Sequence, residues 1–142
     1  MNKEELRQLA EDRVLDAQAL LAGGRWSFAY YVSGYAIECG LKASILARMG
    51  LTGWIFEPKV KIDEVITHDF TKLLTIAGLK AEHDAALATS AAAGTNFVGN
   101  WGIVSSWNVS SPYAPHTEAE ARELHRAVTE ADGVLPWIRN YW

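Results

Sequence analysis

Residues 3–22 place Leu6, Ala10, Val14, Ala17 and Leu21 at steps of three and four against a largely charged opposite face. That spacing predicts an amphipathic helix, ended by Gly23-Gly24. The next stretch, residues 25–48 (RWSFAYYVSGYAIECGLKASILAR), does not keep to one apolar face. It is apolar or aromatic nearly all the way round for about six turns, which predicts a central helix covered by its neighbours. The two helices are expected to pack as an antiparallel hairpin, with Gly50 and Gly53 closing the second. One polar stripe survives on it, because Ser27, Tyr31, Gly34, Glu38 and Lys42 share a face. Glu38 and Lys42 stand in the favourable acid-first i,i+4 order. On so apolar a helix the pair either satisfies buried polar groups or marks a working surface.

Residues 50–66 read as an irregular segment holding Trp54, Pro58, Lys59 and Lys61. Thr67-His68-Asp69 forms a helix start, with Thr67 or Asp69 as cap, ahead of Phe70, Leu73, Leu74 and Ile76; Gly78 stops that helix. Residues 80–93 are alanine-rich and helical by propensity. Glycines at 94, 99 and 102 weaken a helix over the next stretch, but Phe97, Trp101, Val104 and Trp107 keep helical spacing, so a helix is expected there. The run 110–115, SSPYAP, is a loop. Thr117 and Glu120 then make a capping box. Ala121, Leu124, Val128, Ala131, Leu135, Ile138 and Trp142 follow at steps of three and four, predicting one last helix kinked near its end by Pro136. With no strand pattern and no repeat, the expected architecture is all-α: a single domain, residues 1–142, forming an antiparallel bundle of four to five helices.

A chain of 142 residues can bury a self-sufficient core. A net charge of −4 gives no global sign of nucleic-acid binding, although basic residues can still cluster locally. Cys39 is the only cysteine, so no intramolecular disulfide forms, and a reducing compartment fits. The opening MNKEELRQLAEDR lacks a secretory apolar region, and no run of about eighteen uncharged apolar residues exists. A cytoplasmic protein with no membrane span is expected.

Histidines occur at 68, 83, 116 and 125, with no HExxH, no CxxC and no i,i+4 histidine pair. No metal site, nucleophile elbow, phosphate-binding glycine loop or cofactor is therefore expected. Arg122, His125 and Arg126 share a face of the last helix. An arginine there can grip phosphate while the imidazole moves protons, as ribonuclease chemistry requires; the competing reading is a solvated face with Glu118 beside Arg122. Trp101, Trp107 and Tyr113 can form a base-stacking platform, although aromatics at helical spacing more often fill a core or an interface.

Taken together, these elements resemble the HEPN superfamily of small all-α domains. The resemblance rests on Arg13, Asp16-Ala17 and Leu20-Leu21 in the first helix, then Ala29-Tyr30, Gly34-Tyr35-Ala36-Ile37-Glu38 and Gly40-Leu41-Lys42-Ala43. His68-Asp69-Phe70 with Leu73-Leu74 follow, and then Asn100-Trp101, Trp107 and Tyr113 as a tryptophan-rich segment. It implies a homodimeric helical bundle, often encoded with a nucleotidyltransferase-like partner or in defence and toxin–antitoxin systems. Many such proteins are metal-independent endoribonucleases that use an arginine and a histidine with four to six residues between them. None of the arginines at 7, 13, 25, 48, 122, 126 and 139 has that relation to a histidine. Lys61 to His68 has the span with the wrong cation, and lysine does not replace arginine at a bidentate phosphate contact. The resemblance thus implies a non-catalytic domain binding a nucleotide, an RNA or a partner protein, with Glu38, Lys42, Tyr31, Trp107, Tyr113 and Arg126 as ligand-binding candidates. The alternatives are a divergent ribonuclease using Arg122/His125 or Lys61/His68, and a purely structural interaction subunit. For the dimer, the apolar helix and the seam of the last helix are the expected interface, with Tyr30, Tyr31, Ser33 and Gly34 at the contact.

Overall fold

Helix α1 (Lys3–Ala22) begins at a capping box that pairs Asn2 with Glu5, and it buries Leu6, Ala10, Ala17 and Leu21. A short connection returns the chain into α2 (Trp26–Thr52), which packs along α1. The computed structural model describes the backbone of residues 1–52 and 62–142 and the side chains of 1–50 and 63–142. The expected irregular segment around Trp54, Pro58, Lys59 and Lys61 lies largely outside these residues, and Gly53 lies outside them altogether. Gly50 does not end α2, which continues through it to Thr52. One exposed glycine costs a helix only about 1 kcal/mol relative to alanine, too little to stop a helix held by packing over most of its length.

Packing around α2 explains its composition. It is met by α1, by α4 (Phe70–Ile76), by α7 (Glu118–Thr129), by α8 (Val134–Ile138) and by a 3₁₀ turn at Ser111–Tyr113. Ala36, Ile37, Leu41 and Ile45 are fully buried or nearly so, and Ser33 and Ser44 satisfy their hydroxyls on the carbonyls of Ala29 and Gly40 one turn back. This corrects the expected interface. The apolar face of α2 and the Leu124–Val128 seam are both consumed inside the chain. Tyr30 stacks on His116, and Gly34 receives Trp107 rather than a second copy.

Asp69, not Thr67, caps α4: its Oδ1 accepts from the backbone N–H groups of Thr71 and Lys72. A very short helix, α3 (Ile62–Val65), precedes it. Helix α5 (Lys80–Ala93) ends at Gly94, whose φ of 70° is the left-handed conformation that glycine adopts freely. Helix α6 (Phe97–Ser105) carries the weak stretch of glycines, and the capping box of Thr117 and Glu120 opens α7.

The final helix differs from expectation. Instead of one helix kinked at Pro136, α7 stops at Thr129 and α8 begins afresh after Gly133. Pro136 falls in the first turn of α8, where no intrahelical donor is lost. Asp132 is drawn out of helical conformation by α6: its Oδ2 accepts from the Asn96 backbone N–H, and its carbonyl and Oδ1 accept from the Asn100 side-chain amide. A Cβ at Gly133 would sit 2.8–2.9 Å from the carbonyl oxygens of Glu130, Ala127 and Val128, so the turn requires glycine.

The described residues contain no strand, and five helices of nine residues or more, α1, α2, α5, α6 and α7, dominate the fold. No helix among them is long and apolar enough to cross a membrane. Leu41 and Leu124 are both fully buried. Replacing either by alanine is expected to cost about 2–5 kcal/mol in urea denaturation. Losses well under 1 kcal/mol at both would show that the core lies elsewhere.

Candidate functional site

Glu38 is the acid that the apolar helix has to accommodate, and it is 4% exposed. A carboxylate with no partner in such a place would be strongly destabilising. Both its oxygens are met: Lys42 Nζ donates to Oε1 at 2.7 Å, and His68 Nδ1 lies 2.7 Å from Oε2. The lysine comes from one turn further along α2. The histidine comes from the segment that leads into α4, thirty residues away in the chain.

Aromatic packing brings that segment onto α2. Phe70 stacks flat on Trp107, with ring centroids 5.2 Å apart, and Trp107 meets Tyr35 edge-on at 5.5 Å. Trp107 in turn lies over Gly34, where a Cβ would come within 2.2 Å of the indole. Glycine is thus required at 34 for close approach. Tyr35 packs edge-on to His68 and accepts a hydrogen bond from the Tyr31 hydroxyl at 3.0 Å. Burial raises the Tyr35 hydroxyl far above its ordinary range. Burial, with the charge of Glu38 adding to it, also pushes the Cys39 thiol up to about 11, so Cys39 is not a nucleophile at neutral pH.

With Nδ1 facing a carboxylate, the neutral form of His68 places its proton there and leaves Nε2 as an acceptor. The side chain is 42% exposed and borders an open cleft of about 590 Å³. Ile66, Phe70, Trp107 and Val109 supply its apolar walls, with Thr67, Asp69, Ser105 and Asn108 among its polar ones. No lysine or arginine is among the described residues that line it.

The other sequence candidates separate. Arg122 pairs with Glu118 at 2.8 Å and lies over the Trp26 ring, and Arg126 pairs with Glu130 at 3.1 Å. His125 is half-buried, its Nδ1 is enclosed without a partner, and burial lowers its pKa. Arg122, His125 and Arg126 thus form no joint contact: each arginine is held by a glutamate one turn away, and the imidazole is half-buried. The stacking platform also fails. Trp107 is buried, Trp101 packs against His83 at 4.2 Å, and Tyr113 is 91% exposed. Of the ligand-binding candidates, Trp107 forms a cleft wall, Tyr31 supports Tyr35, and Arg126 and Tyr113 do not line the cleft. Lys59 and Lys61 lie outside the described residues, and so does the Lys61–His68 pairing.

Two contacts escaped the sequence reading. Ser27 accepts from the His116 backbone N–H at 2.9 Å, fixing the start of α2 to the loop before α7. The Glu38–His68 contact is the more consequential, and its signal was present: a lone acid on an enclosed helix requires a second donor. Among the described residues no group of three or more His, Cys, Asp or Glu side chains is placed to hold a metal ion. Neither family models, curated proteins nor solved structures give a match to this chain.

Substituting Lys42→Met leaves one oxygen of Glu38 buried without its ammonium, an expected cost of about 1–3 kcal/mol. The same change made on Glu38→Gln is expected to cost clearly less, read as a double-mutant cycle in urea. Equal costs in the two backgrounds would contradict the pairing.

Proposed function

We propose that this chain is a HEPN-like homodimeric domain that binds a nucleotide, an RNA or a partner protein at the His68 cleft and does not cleave RNA. The observation that carries this reading is the commitment of the charged groups on which ribonuclease chemistry would have to draw. Lys42 and Nδ1 of His68 are engaged by Glu38, while Arg122 and Arg126 are engaged by Glu118 and Glu130. Cleavage without metal needs a cation for the phosphate and a histidine for the proton within one site, and no such pairing is formed among these residues. A cleft with apolar walls and a few fixed polar groups is the ordinary form of a binding site. Phe28, Ile66, Val109 and Tyr113 remain exposed and offer the apolar surface for a homodimer or for a nucleotidyltransferase-like partner. A defence or toxin–antitoxin setting belongs to the same reading.

A second reading has one observation in its favour. A carboxylate-held imidazole on a residue that lines a cleft is what a divergent ribonuclease using His68 as general base would need. Metal-free incubation of the purified protein with RNA, beside His68→Ala, separates the two. No cleavage by wild type is expected. Cleavage that His68→Ala abolishes would overturn the binding-only reading.

A further inference from the structure

The cleft beside His68 has a definite polarity. His68 lines it, and in the neutral form with Nδ1–H toward Glu38 its Nε2 is an acceptor. Asp69 presents its second oxygen, since Oδ1 already takes two backbone N–H groups at the start of α4. Lys72 Nζ stands 3.9 Å from that second oxygen on a side chain that is 70% exposed, a loose pair that an incoming cation can displace. Ile66 and Val109 flank these acceptors with exposed apolar surface, a lining suited to the methylene stem of a long cationic side chain.

The same cleft is poorly built for phosphate. No described lining residue is a lysine or an arginine. The first-turn amides of α4, which would otherwise attract an anion, are capped by Asp69. The nearby ammonium of Lys42 is held by Glu38. A chain of net charge −4 adds a field that favours a basic guest over an anionic one.

Resting on the reading of this cleft as a binding site, we infer that its occupant is a basic side chain of a partner protein, an arginine or a lysine, seated between His68 Nε2 and the Asp69 carboxylate. This selects the partner protein among the three ligand classes and makes a nucleotide an outcome of the test.

The test uses the full chain labelled with ¹⁵N and titrated in parallel with a hexa-arginine peptide and with AMP, following backbone amide shifts. The peptide is expected to move amides centred on residues 67–69 and 107–109, and AMP is expected to leave them unmoved. Asn is itself a good N-cap, so Asp69→Asn preserves the start of α4, which an otherwise unchanged spectrum would verify. It is expected to weaken peptide binding about tenfold through loss of one charged hydrogen bond. Peptide shifts scattered over the surface and indifferent to Asp69→Asn would overturn the inference. AMP moving these amides where the peptide does not would also overturn it, while leaving the binding reading intact. Silence from both would remove the cleft as a binding site and with it the proposed function.

Discussion

The structure depends on enclosing α2 on nearly every side. A helix contacted by α1, α4, α7, α8 and the 3₁₀ turn can carry few side chains that need water. Its polar residues are accordingly resolved inside the protein. Ser33 and Ser44 turn back onto their own helix, and Tyr31 meets Tyr35. Glu38 alone cannot be satisfied within α2, since Lys42 reaches only one of its oxygens. The second oxygen draws His68 across from the segment before α4, and a packing requirement thereby becomes a tertiary tie.

That tie gives the site its chemistry. A buried carboxylate flanked by an ammonium and an imidazole is not a strong source of stability in itself, because desolvation offsets much of the attraction. What it does provide is orientation. It fixes which nitrogen of His68 faces Glu38, and the stack of Phe70 on Trp107 over Gly34 holds the cleft wall in place. The proposed binding role and the proposed basic occupant both follow from that orientation and from the absence of lysine and arginine among the described lining residues.

Much of the helical layout was legible in the sequence, because caps and periodicity are local. Thr117 with Glu120, Asp69 before Phe70, and the alternation from Leu6 to Leu21 each report on residues a few positions away. The errors arose where distant residues intervened. The chain breaks at residues 130–133 because Asn96, the cap of α6, and Asn100 within it capture Asp132, and Asp132-Gly133 was readable only as a turn signal inside a helical pattern. Trp107 carried helical spacing that suited either a core or a platform, and the close approach at Gly34 decides for the core. Charge pairing of Arg122 and Arg126 was half visible in the i,i+4 glutamates, whereas the burial of His125 required the fold. Glu38 with Lys42 was visible as a pair, but its third member was thirty residues away and could not be assigned by spacing.

The central claim is that Glu38 fixes His68, and the tautomer of that imidazole tests it most directly. A long-range ¹H–¹⁵N spectrum recorded where the histidine rings are neutral is predicted to show His68 as the Nδ1–H tautomer, with a change in its ring nitrogen shifts on Glu38→Gln. An Nε2-protonated ring, or tautomers averaging as in free histidine and indifferent to Glu38→Gln, would contradict the account.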